Sequence, residues 1–237
     1  LRDIEDHLDD PPKPVLVTDQ LPDKRHHGGR FIAFGPDHQL YVPIGAPCNI
    51  CEPDAPFASL WRMRIDGSGR QLVARGIRNT VGFDWQPGSH KLWFTDNGRD
   101  MLGDDQPSDE LNRIDKPGEH FGYPYCHQGD IPDPEFGKGH ACGNYVPPVL
   151  KLGAHVASLG MRFYTGRMFP RDYRNAILVA EHGSWNRSVK SGYRVMRVLV
   201  KGDRVIGYKP FITGFEQHES AWGRPVDVQP LPDGSVL

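Results

Sequence analysis

Hydrophobic residues along this chain alternate with polar ones in short runs, and the runs come in pairs across turn residues. The clearest pair is Val81, Phe83 and Trp85, a turn through Gln86, Pro87, Gly88, Ser89 and His90, then Leu92, Trp93 and Phe94. Alternation at period two, bounded by Pro and Gly, predicts an antiparallel hairpin. Three more hairpins follow the same rule: residues 30–34 with 40–42 across Gly35-Pro36-Asp37, residues 160–164 with 176–180, and residues 226–228 with 236–237 across Pro232-Asp233-Gly234. Further strands are predicted at 15–17, 60–65, 72–77, 193–200 and 211–215. No amphipathic helix of useful length is visible, and only Asp172-Tyr173-Arg174 reads as a helical turn. Short strands in repeating groups of four predict an all-β propeller rather than a sandwich. At roughly 40–50 residues per blade, the single domain 1–237 holds four to five blades.

Composition narrows the function classes. With 38% hydrophobic residues the chain is globular, and a net charge of −2 with scattered Lys and Arg gives no nucleic-acid groove. No apolar run approaches the length of a membrane helix. The 27 Gly and 22 Pro fit many turns. The chain begins at Leu1 without Met and stops at Leu237 inside an apparent strand, so it reads as a fragment. Cys48 and Cys51 form a C-x-x-C, and Cys126 and Cys142 flank a Gly/Pro-rich loop. Two local disulfides and an oxidising compartment, periplasmic or secreted, are the first reading; a four-thiolate zinc site is the second.

The chemistry-bearing residues stand beside the hairpins. His26 and His27 precede Gly28-Gly29-Arg30, where a histidine is placed as a general base or is a plain loop residue. Arg78 and Asn79 open the second hairpin, either gripping a polar planar ligand or satisfying loop carbonyls. After that hairpin, Asp96, Asn97, Asp100, Asp104, Asp105, Asp109 and Glu110 form an oxygen-rich stretch suited to calcium, or simply a solvated acidic loop. His182, Trp185, Asn186 and Arg187 follow an apolar strand, and Arg224 leads the fourth hairpin as Arg78 leads the second.

Taken in order, H-x-G-G-R at 26–30, R-N-x-x-G-F at 78–83, T-D-N-G-R-D at 95–100 followed by D-E-L-N at 109–112, A-E-H-G-S-W-N-R at 180–187 and G-R-P-x-D-V at 223–228 resemble the soluble quinoprotein sugar dehydrogenases, the glucose/sorbosone and aldose sugar dehydrogenase group. The H-G-S-W-N-R segment is most similar to the sorbosone dehydrogenase-like branch. The resemblance implies a six-bladed propeller that holds pyrroloquinoline quinone and Ca2+ and oxidises an aldose or related aldehyde. It implies His26 as catalytic base, Arg78 and Asn79 at the quinone oxygens, the Gly98 and Arg99 carbonyls on calcium with Asp96, Asp109 and Glu110 nearby, and Arg224 on the cofactor carboxylates. His182 or Arg187 stands in for a lysine that some relatives carry. Three departures are visible: Val81 replaces a glutamine, Pro225-Val226 replaces the rest of an R-x-R, and the loop 100–108 is longer than in the glucose-specific branch. The expected partners are a small sugar and an electron acceptor such as a cytochrome. Two rival readings use the same residues: a calcium-dependent lactonase or esterase, and a carbohydrate-binding propeller with Trp93 and Trp185 as contacts.

Overall fold

The computed structural model describes residues 4–237; Arg2 and Asp3, part of the charged start, lie outside them. The fold is all-β. Strands β1 (Ala33–Phe34), β2 (Leu40–Ile44), β3 (Ser59–Met63) and β4 (Gln71–Arg75) form an antiparallel meander. A second meander begins with β5 (Phe83–Trp85), β6 (Leu92–Asp96) and β7 (Ser108–Arg113). The chain then leaves the sheet. Strand β8 (Glu119–His120) adds in parallel to the edge of β4, and β9 (Cys126–His127) pairs with β10 (Ile131–Pro132) in a small hairpin. It returns as β11 (Leu150–Ala154), which pairs with β7 and completes the second sheet. The third sheet is β12 (Ser158–Phe163), β13 (Ile177–Glu181), β14 (Arg194–Lys201) and β15 (Arg204–Ile212) in sequence order. A two-residue pair, β16 (Glu216–Gln217) with β17 (Ser220–Ala221), precedes a single bridge from Pro230 to Val236.

The first three hairpins read from the sequence are present, the fourth is reduced to the Pro230–Val236 bridge with residues 226–228 in no strand, and the helical turn appears at Arg171–Tyr173. The blade count differs. Where four to five were expected, three four-stranded sheets are complete among the described residues, and the Pro230–Val236 bridge begins another. The discrepancy comes from residues 114–149, which build the excursion around β8–β10 instead of a blade. Residues 15–17 form no strand, and Val15 and Leu16 are exposed without a neighbouring strand to cover them.

The sheets pack face to face with β6 at the centre. All five of its residues are buried, and its alternation sends side chains to two separate cores. Leu92 and Phe94 join Tyr41, Leu60, Ala74, Phe83 and Phe121 against the first sheet. Trp93 joins Leu111, Leu152, Met161, Phe163 and Ile177 against the third. Edge-to-face ring pairs mark both interfaces, Phe94–Phe121 at 4.9 Å and Trp93–Phe163 at 6.0 Å. Burying each such aromatic contributes about 2–3 kcal/mol. The inner strands meet closely at glycine: a Cβ on Gly82 would lie 2.3 Å from the Leu159 carbonyl, and one on Gly160 2.0 Å from Asp227 Oδ1. Both sequence-predicted disulfides form, Cys48–Cys51 and Cys126–Cys142, leaving no free thiol among the described residues and no place for the four-thiolate zinc site.

Candidate active site

In a meander, the turn after the second strand and the exit from the fourth leave by the same end of the sheet. The segments 45–58, 76–82, 97–107, 155–157 and 182–193 therefore gather at one end of the three sheets. There they enclose a cavity of about 190 Å³ lined by His27, Arg78, Asn79, Asn97, Gly98, Asp100, Asp109, His155, Ala157 and Trp185.

His27, not His26, reaches this cavity. His26 is exposed at the rim, its ring 4.1 Å from that of His27 in an edge-on contact. His27 has a left-handed backbone (φ 50°), and its Cβ sits where a side chain on Gly45 would fall, 2.6 Å away. Its Nδ1 lies 2.8 Å from the Ala46 carbonyl. A carbonyl only accepts, so Nδ1 carries the proton and Nε2 keeps a lone pair. Burial, then the nearby Arg78 charge, pull His27 down to about 3, against the Ala46 hydrogen bond. The ring is thus a neutral acceptor at physiological pH.

Arg78 is buried and heavily engaged. Its Nε donates to the Asn49 carbonyl (2.9 Å), one terminal nitrogen to the Asn97 carbonyl (3.2 Å), and the other to Asn49 Oδ1 (2.8 Å) and Asp100 Oδ2 (3.1 Å). Four of its five N–H groups are spent on the protein and one is left over. The Asn79 side-chain amide has no partner among the described residues, although its backbone N–H is held by Asp96.

The three carboxylates expected around a metal bind backbone amides instead. Asp96 accepts from the amides of Arg78 (2.9 Å) and Asn79 (2.6 Å). Asp109 accepts from Gly98 and Ser158, both at 2.9 Å. Glu110, the cross-strand partner of Asp96, accepts from the Gln128 amide and the Asn112 side chain. They brace the loops that line the cavity, and among the described residues no three His, Cys, Asp or Glu side chains are grouped to hold a metal ion. Burial pushes all three upward: Asp109 to about 6, against the pull of its two amides, and Asp96 and Glu110 upward together, Glu110 further by the Asp96 charge. The Gly98 and Arg99 carbonyls accept no hydrogen bond among the described residues and remain oxygen donors. The Arg99 side chain turns away to Asp133 (2.5 Å), which also holds His127 (2.8 Å).

The remaining candidates lie at the margin. Arg224 is exposed and donates to the His182 and Gly183 carbonyls (3.2 and 2.5 Å), while His182 Nδ1 lies 3.1 Å from the Pro225 carbonyl. Arg187 holds the Asp104 carbonyl (3.0 Å) and Asp105 (2.8 Å), pinning the loop 97–107. None of these three lines the cavity. Trp185, 67% exposed, does. Sequence reasoning missed Asn49 and His155, whose Nε2 lies 2.7 Å from the Gly103 carbonyl. Asn49 sits inside a C-x-x-C that drew attention to its cysteines, and no pattern singles out His155.

The profile of the TrAA12-like family matches residues 62–210. The chain belongs to the TrAA12-like family. Its fold is similar to the family AA12 carbohydrate-active enzyme of Trichoderma reesei, with a TM-score of 0.77 at 20% identity over 89% of this chain and 65% of that one. It is likewise similar to the PQQ domain of pyranose dehydrogenase from Coprinopsis cinerea, with a TM-score of 0.71 at 20% identity over 88% and 66%. An uncharacterized protein of Borreliella burgdorferi is 40% identical over 216 residues, 89% of this chain and 57% of that one. This TrAA12-like chain thus spans between half and two thirds of the length of these relatives. The resemblance to quinone-dependent sugar dehydrogenases read from the five motifs is borne out at the level of family and fold.

Proposed function

We propose that this TrAA12-like chain is the larger part of a quinoprotein dehydrogenase acting on an aldose or related sugar. The observation that carries the reading is the convergence of His27, Arg78, Asn79 and Gly98 on one cavity, with His27 Nε2, one Arg78 N–H and the Asn79 side-chain amide unspent on protein partners among the described residues. The donor set fits pyrroloquinoline quinone and calcium. Asn79 and Arg78 offer donors to quinone oxygens, and the Gly98 and Arg99 carbonyls are hard ligands for a cation. At 190 Å³ the cavity is below the roughly 300–1,000 Å³ usual for ligand sites.

Held by Arg78, Asn79 and the Gly98 and Arg99 carbonyls, the quinone would supply a two-electron acceptor and calcium a positive charge beside it. The chain's own residues do the rest. His27 Nε2 takes the proton of the hydroxyl on that carbon, with the opposite ring nitrogen fixed by Ala46. Asp96 and Asp109 hold the Arg78–Asn79 and Gly98 backbones in place. Trp185 offers a flat apolar face to a sugar ring at the entrance. Arg224 is assigned to the cofactor carboxylates from the rim, and His182 or Arg187 to the place of the lysine that some relatives carry.

The two disulfides suit an extracytoplasmic location, and a cytochrome or quinone pool is the proposed electron acceptor. No helix among the described residues is long and apolar enough to cross a membrane. The test is to load the protein carrying this chain with quinone and calcium and assay aldoses with an artificial acceptor. Oxidation that needs added quinone is expected. Hydrolysis of lactones without quinone would move the site to another reaction class.

A further inference from the structure

We propose that the disulfide loop 48–51 is a positioning clamp for Arg78, with Asn49 as the positioning residue. The inference rests on the reading of Arg78 as a cofactor-facing group. A buried guanidinium is costly unless its donors are met, and the Arg78 side chain is 5% exposed. Two of its four hydrogen bonds go to Asn49, one to the backbone carbonyl at 2.9 Å and one to Oδ1 at 2.8 Å. The same Oδ1 accepts the Asp100 amide at 2.8 Å, and Asn49 Nδ2 donates to the Asp100 carbonyl at 3.1 Å. The Asp100 carboxylate then closes on Arg78 at 3.1 Å. One asparagine thereby ties together the loop it belongs to, the entry to β5 and the loop after β6.

That asparagine is itself held. Cys48 and Cys51 are bonded across the two residues between them with their Cα atoms 6.2 Å apart, which limits the turn that presents Asn49. Tyr123 braces the loop from below: its hydroxyl accepts the Cys51 amide at 3.1 Å and lies 3.4 Å from Cys48 Sγ. Asparagine is the side chain required here, because it must accept from two groups and donate to a third at once; aspartate lacks the donor and leucine lacks both. Without the Asn49 side chain, one Arg78 N–H group loses its partner and Asp100 loses both of its ties to residue 49, so the guanidinium is held there only by the backbone carbonyl and is free to follow Asp100.

The experiment compares wild type, Asn49→Ala, Asn49→Ser and the Cys48→Ser/Cys51→Ser pair, each loaded with quinone and calcium. The Asn49 variants are expected to bind quinone at least tenfold more weakly and to lose roughly tenfold to hundredfold in kcat through misplacement of Arg78, with the sugar KM within about twofold of wild type. The cysteine pair is expected to shift in the same direction. A merely structural loop would raise KM and lower kcat together with thermal stability. Asn49→Ser replaces Asn49→Ala if the latter does not fold, and the cysteine pair serves if neither does. Folded variants with wild-type quinone affinity and kcat overturn the clamp. Wild type that binds no quinone overturns the functional reading instead. The clamp is then judged from the crystal structure of an Asn49 variant, where a displaced Arg78 guanidinium upholds it and an unmoved one refutes it.

Discussion

In the proposed reaction His27 is the base, one position away from the residue the motif spacing favours. The H-x-G-G-R pattern points to His26, four residues before Arg30. The left-handed φ of His27 and its bond to Ala46 turn the second imidazole inward, and neither is visible in a string of letters. His27→Ala is expected to lower kcat by roughly 10²–10⁴-fold, the usual contribution of a positioned base, while His26→Ala stays within about threefold; steady-state kinetics on both variants decides. Because His27 is held down to about 3, its protonation places no acid limb on kcat between pH 5 and 8. The sign for stability is the reverse of the common salt-bridged histidine. The unfolded chain takes up this proton near 6.5 and the folded chain only near 3, so stability is lost as pH falls through that interval.

At the scale of elements, the cross-strand carboxylates of β6 and β7 set the opposite trend. Asp96, Asp109 and Glu110 hold protons in the folded state to higher pH than in the unfolded chain. Folding therefore weakens as pH rises from about 4 through their folded-state range. For Asp109, moving from 3.8 to about 6 corresponds to something on the order of 2–3 kcal/mol. Thermal melts of metal-free protein should show a midpoint that falls between pH 6 and 8, and Glu110→Gln should flatten that fall. Added calcium should raise the midpoint more at pH 8 than at pH 6, since ionised carboxylates close to the Gly98 and Arg99 carbonyls favour a cation. The close approaches at Gly82 and Gly160 belong to the same scale. Gly82→Ala is expected to cost about 1–3 kcal/mol by overpacking against Leu159, read from denaturant unfolding. Strand positions were legible because period-two alternation and Pro/Gly turns act locally. The carboxylates were not, since an aspartate that braces an amide and one that binds calcium look alike in sequence.

For the whole molecule, the all-β hairpin pattern and both disulfides could be read in advance, because each depends on neighbours along the chain. The number of blades could not, because residues 114–149 spend their length on β8–β10 and the Cys126–Cys142 loop. That loop carries Asp133, which anchors Arg99 behind the cavity. Removing the disulfide with Cys126→Ala/Cys142→Ala frees a loop of sequence separation 16 and should cost about 3 kcal/mol, measured as a lowered unfolding midpoint. The central claim is that segments far apart in the chain make one quinone pocket at one end of the sheets. Calorimetric titration of pyrroloquinoline quinone into the calcium-loaded protein tests it most directly. One quinone bound per chain, lost when calcium is chelated and weakened by Asn79→Ala, is the predicted result; binding that is absent, or indifferent to both changes, would contradict it.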